Sequence, residues 1–192
     1  MSSVLPNLYL ARHGDTAWTD SHRHTGRTDL PLNEGGEDRA RQLGRVLEPI
    51  PFVRVFTSPL RRVARTCALA GFGEVAEVAP DLHEWDYGEY EGLTTPQIRE
   101  QRPDWNLWRD GCPGGEGPEQ VGSRADHVIG MLRDSDGDCV VFAHGHILRV
   151  IAARWLEQPV GLGARLALST GTLSTLGFER ETQVIREWNR VP

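Results

Sequence analysis

The sequence predicts an α/β fold, a three-layer sandwich in which a mostly parallel central sheet carries helices on both faces. Three observations point to it. Short apolar runs, Leu8-Tyr9-Leu10-Ala11 and Cys139-Val140-Val141-Phe142-Ala143, read as buried strands. Longer amphipathic stretches stand between such runs, and strands alternating with helices favour a parallel sheet covered on both sides. Both runs stop at a histidine followed by glycine, His13-Gly14 and His144-Gly145. In open α/β sheets ligands sit at the carboxyl ends of strands.

The first strand spans 5–12. A polar loop over 14–36 follows, rich in Thr, Asp, His and Gly. It is longer than the usual connection, and such loops are often functional. Residues 37–47 form a helix with Ala40, Leu43 and Leu47 on one face. The second strand covers 53–57. Ser58-Pro59 then opens a helix running to about 70, because serine is a good N-cap and proline suits the first helical position. A short strand covers 75–78, and 82–93 is a loop dense in acids, aromatics and glycine. Short helical pieces at 95–100 and 105–108 precede a Gly/Pro turn over 111–118. An amphipathic helix over 119–132 presents Val121, Ala125, Val128, Ile129 and Leu132. The strand over 139–143 feeds a helix over 147–156. Segments 172–178 and 183–188 flank a polar turn and read as a terminal hairpin. This hairpin either extends the sheet or pairs with a second subunit, which leaves a homo-oligomer open.

No repeat, low-complexity segment or linker interrupts the 192 residues, so 1–192 is expected to form a single domain. The net charge of −6 argues against a general binder of nucleic acid or of an anionic membrane. All 21 basic residues other than histidine are arginine, so any phosphate clamp is built from Arg, His and backbone N–H groups. Cys67, Cys112 and Cys139 are widely spaced with no C-x-x-C, against a disulfide framework or zinc ribbon. A reducing cytoplasm is the expected location. Residues 1–6 lack the basic and apolar regions of a secretory leader. No apolar stretch approaches the ~20 residues of a membrane span.

The strand ends gather chemistry. The first delivers Arg12 and His13, the second Ser58 with Arg61, Arg62 and Arg65 one turn on, and the later one His144. Neighbouring parallel strands would bring two imidazoles and at least two guanidiniums to one edge, where helix N-termini add positive dipole ends. That is a cage for a phosphoryl dianion. His22 with His24, and His144 with His146, lack further ligands at metal spacing, so no metal is expected. No other cofactor is expected either. His83 and His127 read as ordinary surface residues.

Five ordered blocks resemble the histidine phosphatase superfamily, which includes the cofactor-dependent phosphoglycerate mutases. Arg12-His13-Gly14-Asp15-Thr16-Ala17-Trp18 is similar to R-H-G-x-[ST]-x-W, and Thr25-Gly26 with Asp29 and Leu32 to the T-G-x-x-D-x-x-L segment after it. Ser58-Pro59-Leu60-Arg61-Arg62-Val63-Ala64-Arg65-Thr66 resembles S-x-L-x-R-A-x-x-T, with Val63 where alanine is usual. Glu84 to Leu93 resembles the E-x-x-x-G-x-x-E-G block, and Ala143-His144-Gly145-His146 with Arg149 the A-H-G-x-x-x-R block. The W-x-x-W-x-D-G-C-P stretch from Trp105 to Pro113 resembles a branch of sugar bisphosphatases and broad-specificity acid phosphatases.

The resemblance implies a phosphoglycerate mutase-like fold and a set of roles. His13 would be the nucleophile that forms a phosphohistidine. It must be neutral at its attacking nitrogen, and a backbone carbonyl on the other nitrogen is the expected tautomer lock. Arg12, Arg62 and His144 would hold the phosphoryl oxygens. The spacing alone does not choose among Arg61, Arg62 and Arg65; the family pattern selects Arg62. Glu84 would be the general acid, then the base that activates water. An acid that must start protonated implies a mildly acidic optimum unless burial raises its pKa. Asp86, Glu89 and Glu91 read as structural. Thr25, Gly26, Gly145 and His146 would line the pocket through backbone N–H groups or short side chains, and Arg109 would reach a second anionic group.

Three functions compete. The first is a metal-independent phosphatase for small phosphate monoesters, sugar phosphates or related metabolites. The second is a cofactor-dependent phosphoglycerate mutase; the short Glu84-to-His144 span, without lysine, favours hydrolysis instead. The third is a non-catalytic phosphate-binding protein, which would not need the proton donor Glu84.

Overall fold

A computed structural model describes residues 5–133 and 135–192. Part of the 1–6 stretch read for a leader therefore lies outside the described residues. In chain order the elements are β1 (Leu8–Arg12), α1 (Ala17–Asp20), α2 (Glu34–Leu47), β2 (Arg54–Thr57), α3 (Arg61–Leu69) and β3 (Glu77–Val78). After 3-10 turns at Pro80–Leu82 and Gly88–Tyr90 come α4 (Thr95–Gln101), α5 (Leu107–Asp110), α6 (Pro118–Arg133), β4 (Cys139–Ala143) and α7 (Gly145–Trp155). A 3-10 segment at Val160–Arg165 leads to β5 (Leu173–Glu179) and β6 (Thr182–Arg190).

The six strands form one sheet in the order β3-β2-β4-β1-β5-β6. β3, β2, β4 and β1 run parallel, while β5 is antiparallel to β1 and to β6. The terminal hairpin thus extends the sheet. Side chains alternate across it, as a pleated strand requires. Leu8 and Leu10 of β1 and Cys139, Val141 and Ala143 of β4 face α6 and α7. Ala11, Val140 and Phe142 face the other way, onto Leu43 and Leu47 of α2 and Val63 and Cys67 of α3. This is the three-layer α/β sandwich with a mostly parallel sheet.

Register sets the site. Arg12 pairs with Ala143, and Thr57 with Phe142, so β1, β4 and β2 end level with one another. Their next residues, His13, His144 and Ser58, meet at one edge. Gly14 and Gly36 make the approach of β1 to α2 possible. A Cβ on Gly14 would lie 2.2 Å from the Gly36 carbonyl oxygen, far inside contact distance.

Several boundaries differ from expectation: β1 starts at Leu8, β3 at Glu77 and α5 at Leu107, and three helix starts differ for reasons the contacts show. α3 starts at Arg61, because the Ser58 hydroxyl is engaged with His144 and Leu60 is the cap position. The carboxylate of Asp29 takes up the exposed Arg61 N–H at 2.8 Å instead. α2 starts three residues early, at Glu34, where the Asn33 side chain accepts from Gly36 N. α7 starts at Gly145, which turns the N–H groups of His146 and Ile147 into free first-turn donors. No helix among the described residues is long and apolar enough to cross a membrane.

Candidate active site

The phosphoryl cage is built from groups that the fold buries. His13 is 4 % exposed, and its Nδ1–H donates to the Gly14 carbonyl at 2.7 Å, leaving the lone pair on Nε2. Burial, then the charges of Arg62 and Arg12, push its pKa down to about 3. The imidazole is therefore neutral and nucleophilic at any ordinary pH. His144 caps α7 with its ring 5.2 Å from that of His13. Burial, then Arg62 and His13, also keep it neutral.

Arg62 is fully buried, with Nη1 donating to Thr28 O at 2.9 Å and Nη2 to Thr25 O and Gly26 O at 3.1 and 3.0 Å. Arg12 donates through Nη1 to Leu168 O. Its guanidinium lies against Gly145, where a Cβ would stand 3.1 Å from Arg12 Cζ. Burial lowers both arginine pKa values, yet guanidinium stays charged in proteins. Arg12 Nε, Arg62 Nε and His144 Nδ1 are buried with no hydrogen-bond partner. Orphaned donors of this kind are costly unless a ligand takes them up. Three of them around a neutral imidazole specify an anion.

Glu84 sits across the cage. Its Oε1 accepts from Trp85 N, His146 N and Ile147 N at 2.9, 3.1 and 3.0 Å, and its Oε2 from His146 N at 3.0 Å. Burial pushes its pKa up, but His146 and the α7 amides outweigh that and hold it well below the usual carboxylate range. The resting group is therefore a carboxylate, and the net shift is opposite to the raised pKa that a resting acid would need. Arg124 of α6 fixes the strand of chain that carries it, donating to Asp81 O, His83 O and Glu84 O and pairing with Glu116 at 2.7 Å.

Arg12, His13 and Glu84 open into a cavity of about 590 Å³ that Arg23, His24 and His146 also line. His24 stacks on Tyr87 with ring centroids 4.8 Å apart. Burial, then His146, lowers its pKa to about 4. Among the described residues no group of three or more His, Cys, Asp or Glu is placed to hold a metal ion.

The sequence profile of the histidine phosphatase superfamily (branch 1) matches residues 8–191. The chain belongs to that superfamily. An acid phosphatase of Mycobacterium tuberculosis is 44% identical over 180 residues, covering 90% of this chain and 86% of that protein. A sedoheptulose 1,7-bisphosphatase of Saccharomyces cerevisiae is 37% identical over 203 residues, covering 88% and 73%. The solved structure of an open reading frame product from Mycobacterium tuberculosis superposes with a TM-score of 0.93 at 41% identity, covering 97% of this chain and 98% of that one.

Within this histidine phosphatase chain, Arg12, His13, Arg62, Glu84 and His144 come together. The secondary residues differ from expectation. Gly26 does not offer its N–H to the cage, because the Glu91 carboxylate takes it at 2.9 Å; its carbonyl braces Arg62. Thr25 lines the cavity and gives Arg62 its carbonyl too. The backbone N–H of His146 serves Glu84, while its ring lines the cavity. Gly145 makes room for Arg12. Arg109 lies elsewhere: its exposed guanidinium pairs with Asp110 at 2.7 Å and donates to Asp104 O, and it does not line the cavity. Tyr87, Arg124 and the bond from Ser58 to His144 were not anticipated. For Tyr87 the only signal was its place three residues after Glu84; for Arg124 there was none.

Proposed function

We propose that the chain is a metal-independent phosphatase that hydrolyses small phosphate monoesters, sugar phosphates or related metabolites, through a phosphohistidine at His13. The observation that carries this is the set of three orphaned buried donors, Arg12 Nε, Arg62 Nε and His144 Nδ1, around a histidine whose Nε2 lone pair is free. His13 Nε2 bonds to phosphorus as the ester P–O bond breaks, and Glu84 gives a proton to the departing alkoxide. Glu84 then takes a proton from water, whose oxygen attacks phosphorus and releases phosphate and free His13. Phosphoryl transfer needs chiefly positioning and positive charge, which Arg12 and Arg62 supply. The acid phosphatase and sugar bisphosphatase among its relatives support hydrolysis of such esters.

The test is phosphate release across a panel of metabolite phosphates, with EDTA present and no bisphosphoglycerate. Selective release is expected, abolished in His13→Ala. Silence on the panel with primer-dependent interconversion of 2- and 3-phosphoglycerate would make the protein a mutase. Phosphate binding without turnover or phosphohistidine would make it a binding protein.

A further inference from the structure

The acid step demands a proton on a carboxylate that the fold holds ionised. Three backbone N–H groups crowd Glu84, all of them on Oε1. Oε2 has one N–H and faces the ring of His146, with Nδ1 at 3.7 Å. The same Nδ1 lies 2.7 Å from the Tyr87 hydroxyl. Burial, then the Glu84 charge, raises the Tyr87 pKa well above that of a free phenol, so the hydroxyl keeps its hydrogen.

Everything that faces the His146 ring is in place for proton traffic. Trp108 of α5, Trp85 and His24 wall it at centroid distances of 5.3, 6.4 and 6.3 Å. The charges that reach it are Glu84, Arg149 on its own helix and Arg12 of β1. The side chain is 21% exposed and lines the cavity, so solvent reaches it. Burial lowers its pKa against the pull of the Glu84 charge, which makes the imidazolium a stronger acid than usual.

We propose that His146, braced by Tyr87, is a positioning residue that charges Glu84 with the proton used on the leaving group, a role that rests on the phosphatase reading above. In the imidazolium the Tyr87 oxygen accepts from Nδ1–H. Transfer breaks that N–H bond and forms an O–H bond at Glu84 Oε2, leaving a neutral ring. The Tyr87 hydroxyl then turns and donates to the vacated Nδ1. The ring keeps its Nε2–H, and the next proton from solvent returns to Nδ1, where the Tyr87 oxygen again becomes the acceptor. A bound phosphoryl dianion favours the protonated forms of both groups, so the transfer is coupled to substrate binding.

The experiment compares an alkyl phosphate with p-nitrophenyl phosphate, whose leaving group needs no acid. Wild type, His146→Asn and Tyr87→Phe are assayed from about pH 5 to 8 with and without added imidazole. His146→Asn is expected to slow the alkyl ester by about tenfold or more and to spare the aryl ester. Its alkaline limb moves to lower pH, and imidazole restores the rate. Tyr87→Phe shows the same split more weakly, and carries the test if thermal melting shows that His146→Asn does not fold. Equal slowing of both esters, no slowing, or a loss that imidazole does not restore overturns the proposal. Wild type that releases phosphate from neither ester fails the phosphatase reading itself, whereas failure of the His146 role leaves wild-type turnover intact.

Discussion

One hydroxyl decides which nitrogen of His144 meets the phosphoryl group. The Ser58 Oγ accepts from Leu60 N at 3.4 Å and lies 2.8 Å from His144 Nε2. The buried hydroxyl has no other acceptor among the described residues, so Oγ–H donates to Nε2, and the ring proton is left on Nδ1, the orphaned donor of the cage. Ser58→Ala removes that lock and leaves a buried nitrogen unpaired, at a cost of about 1–3 kcal/mol. The expected loss is roughly tenfold to a hundredfold in kcat/KM, with weaker inhibition by phosphate. Unchanged kinetics would remove Ser58 as the residue that sets the tautomer. The five central residues were legible because each follows a strand end or a family block. The partners that hold them were not. Gly26 N meets Glu91 from 65 residues away, and Arg124 reaches Glu84 across 40. Hydrogen bonds between such distant residues leave no local pattern to read.

Strands and helices carry the site by their lengths and close contacts. Apolar runs marked β1, β2 and β4 correctly because alternation and burial leave a periodic trace. Helix starts were less legible, since caps are settled by tertiary partners: Asp29 displaced the expected role of Ser58 at α3, and the turn at Val160–Arg165 has no apolar period. The contact between the loop after β1 and α2 is close enough that only glycine fits on either side. The Gly14 carbonyl also holds His13 Nδ1, so the backbone there sets both the packing and the nucleophile's tautomer. In Gly14→Ala the new methyl meets Gly36 backbone, and overpacking of this kind costs about 1–3 kcal/mol. Urea melts should show that loss. Turnover should fall by more than stability does, because α2 and the His13 carbonyl lock shift together. Normal turnover in a destabilised variant would separate the two functions of this glycine.

At the scale of the whole molecule, folding buries two histidines in a positive field and refuses them protons. His13 has a pKa of about 3 in the folded chain against 6.5 when free. Its folded value is the lower one, so below 6.5 the unfolded chain binds a proton that the native state does not, and stability falls as pH falls. The cost starts near 6.5 and grows until the folded histidine itself titrates near 3. Between pH 7 and pH 5 this one group removes about 2 kcal/mol. His144, lowered for the same reasons, adds loss in the same direction. Glu84 is a carboxylate with a depressed pKa, so its stabilisation is present above the ordinary Glu value of 4.5 and disappears only below it, outside this window. Urea unfolding at pH 7 and pH 5 separates these contributions. His13→Asn keeps a donor for the Gly14 carbonyl but cannot titrate, so its stability should fall by about 2 kcal/mol less than wild type between the two pH values. Equal falls in the two proteins would mean that His13 takes up its proton in the native state. A nucleophile that charged so readily would have no lone pair to offer on the acid side of neutrality, and the cage would then be a site for binding phosphate rather than for cleaving its esters.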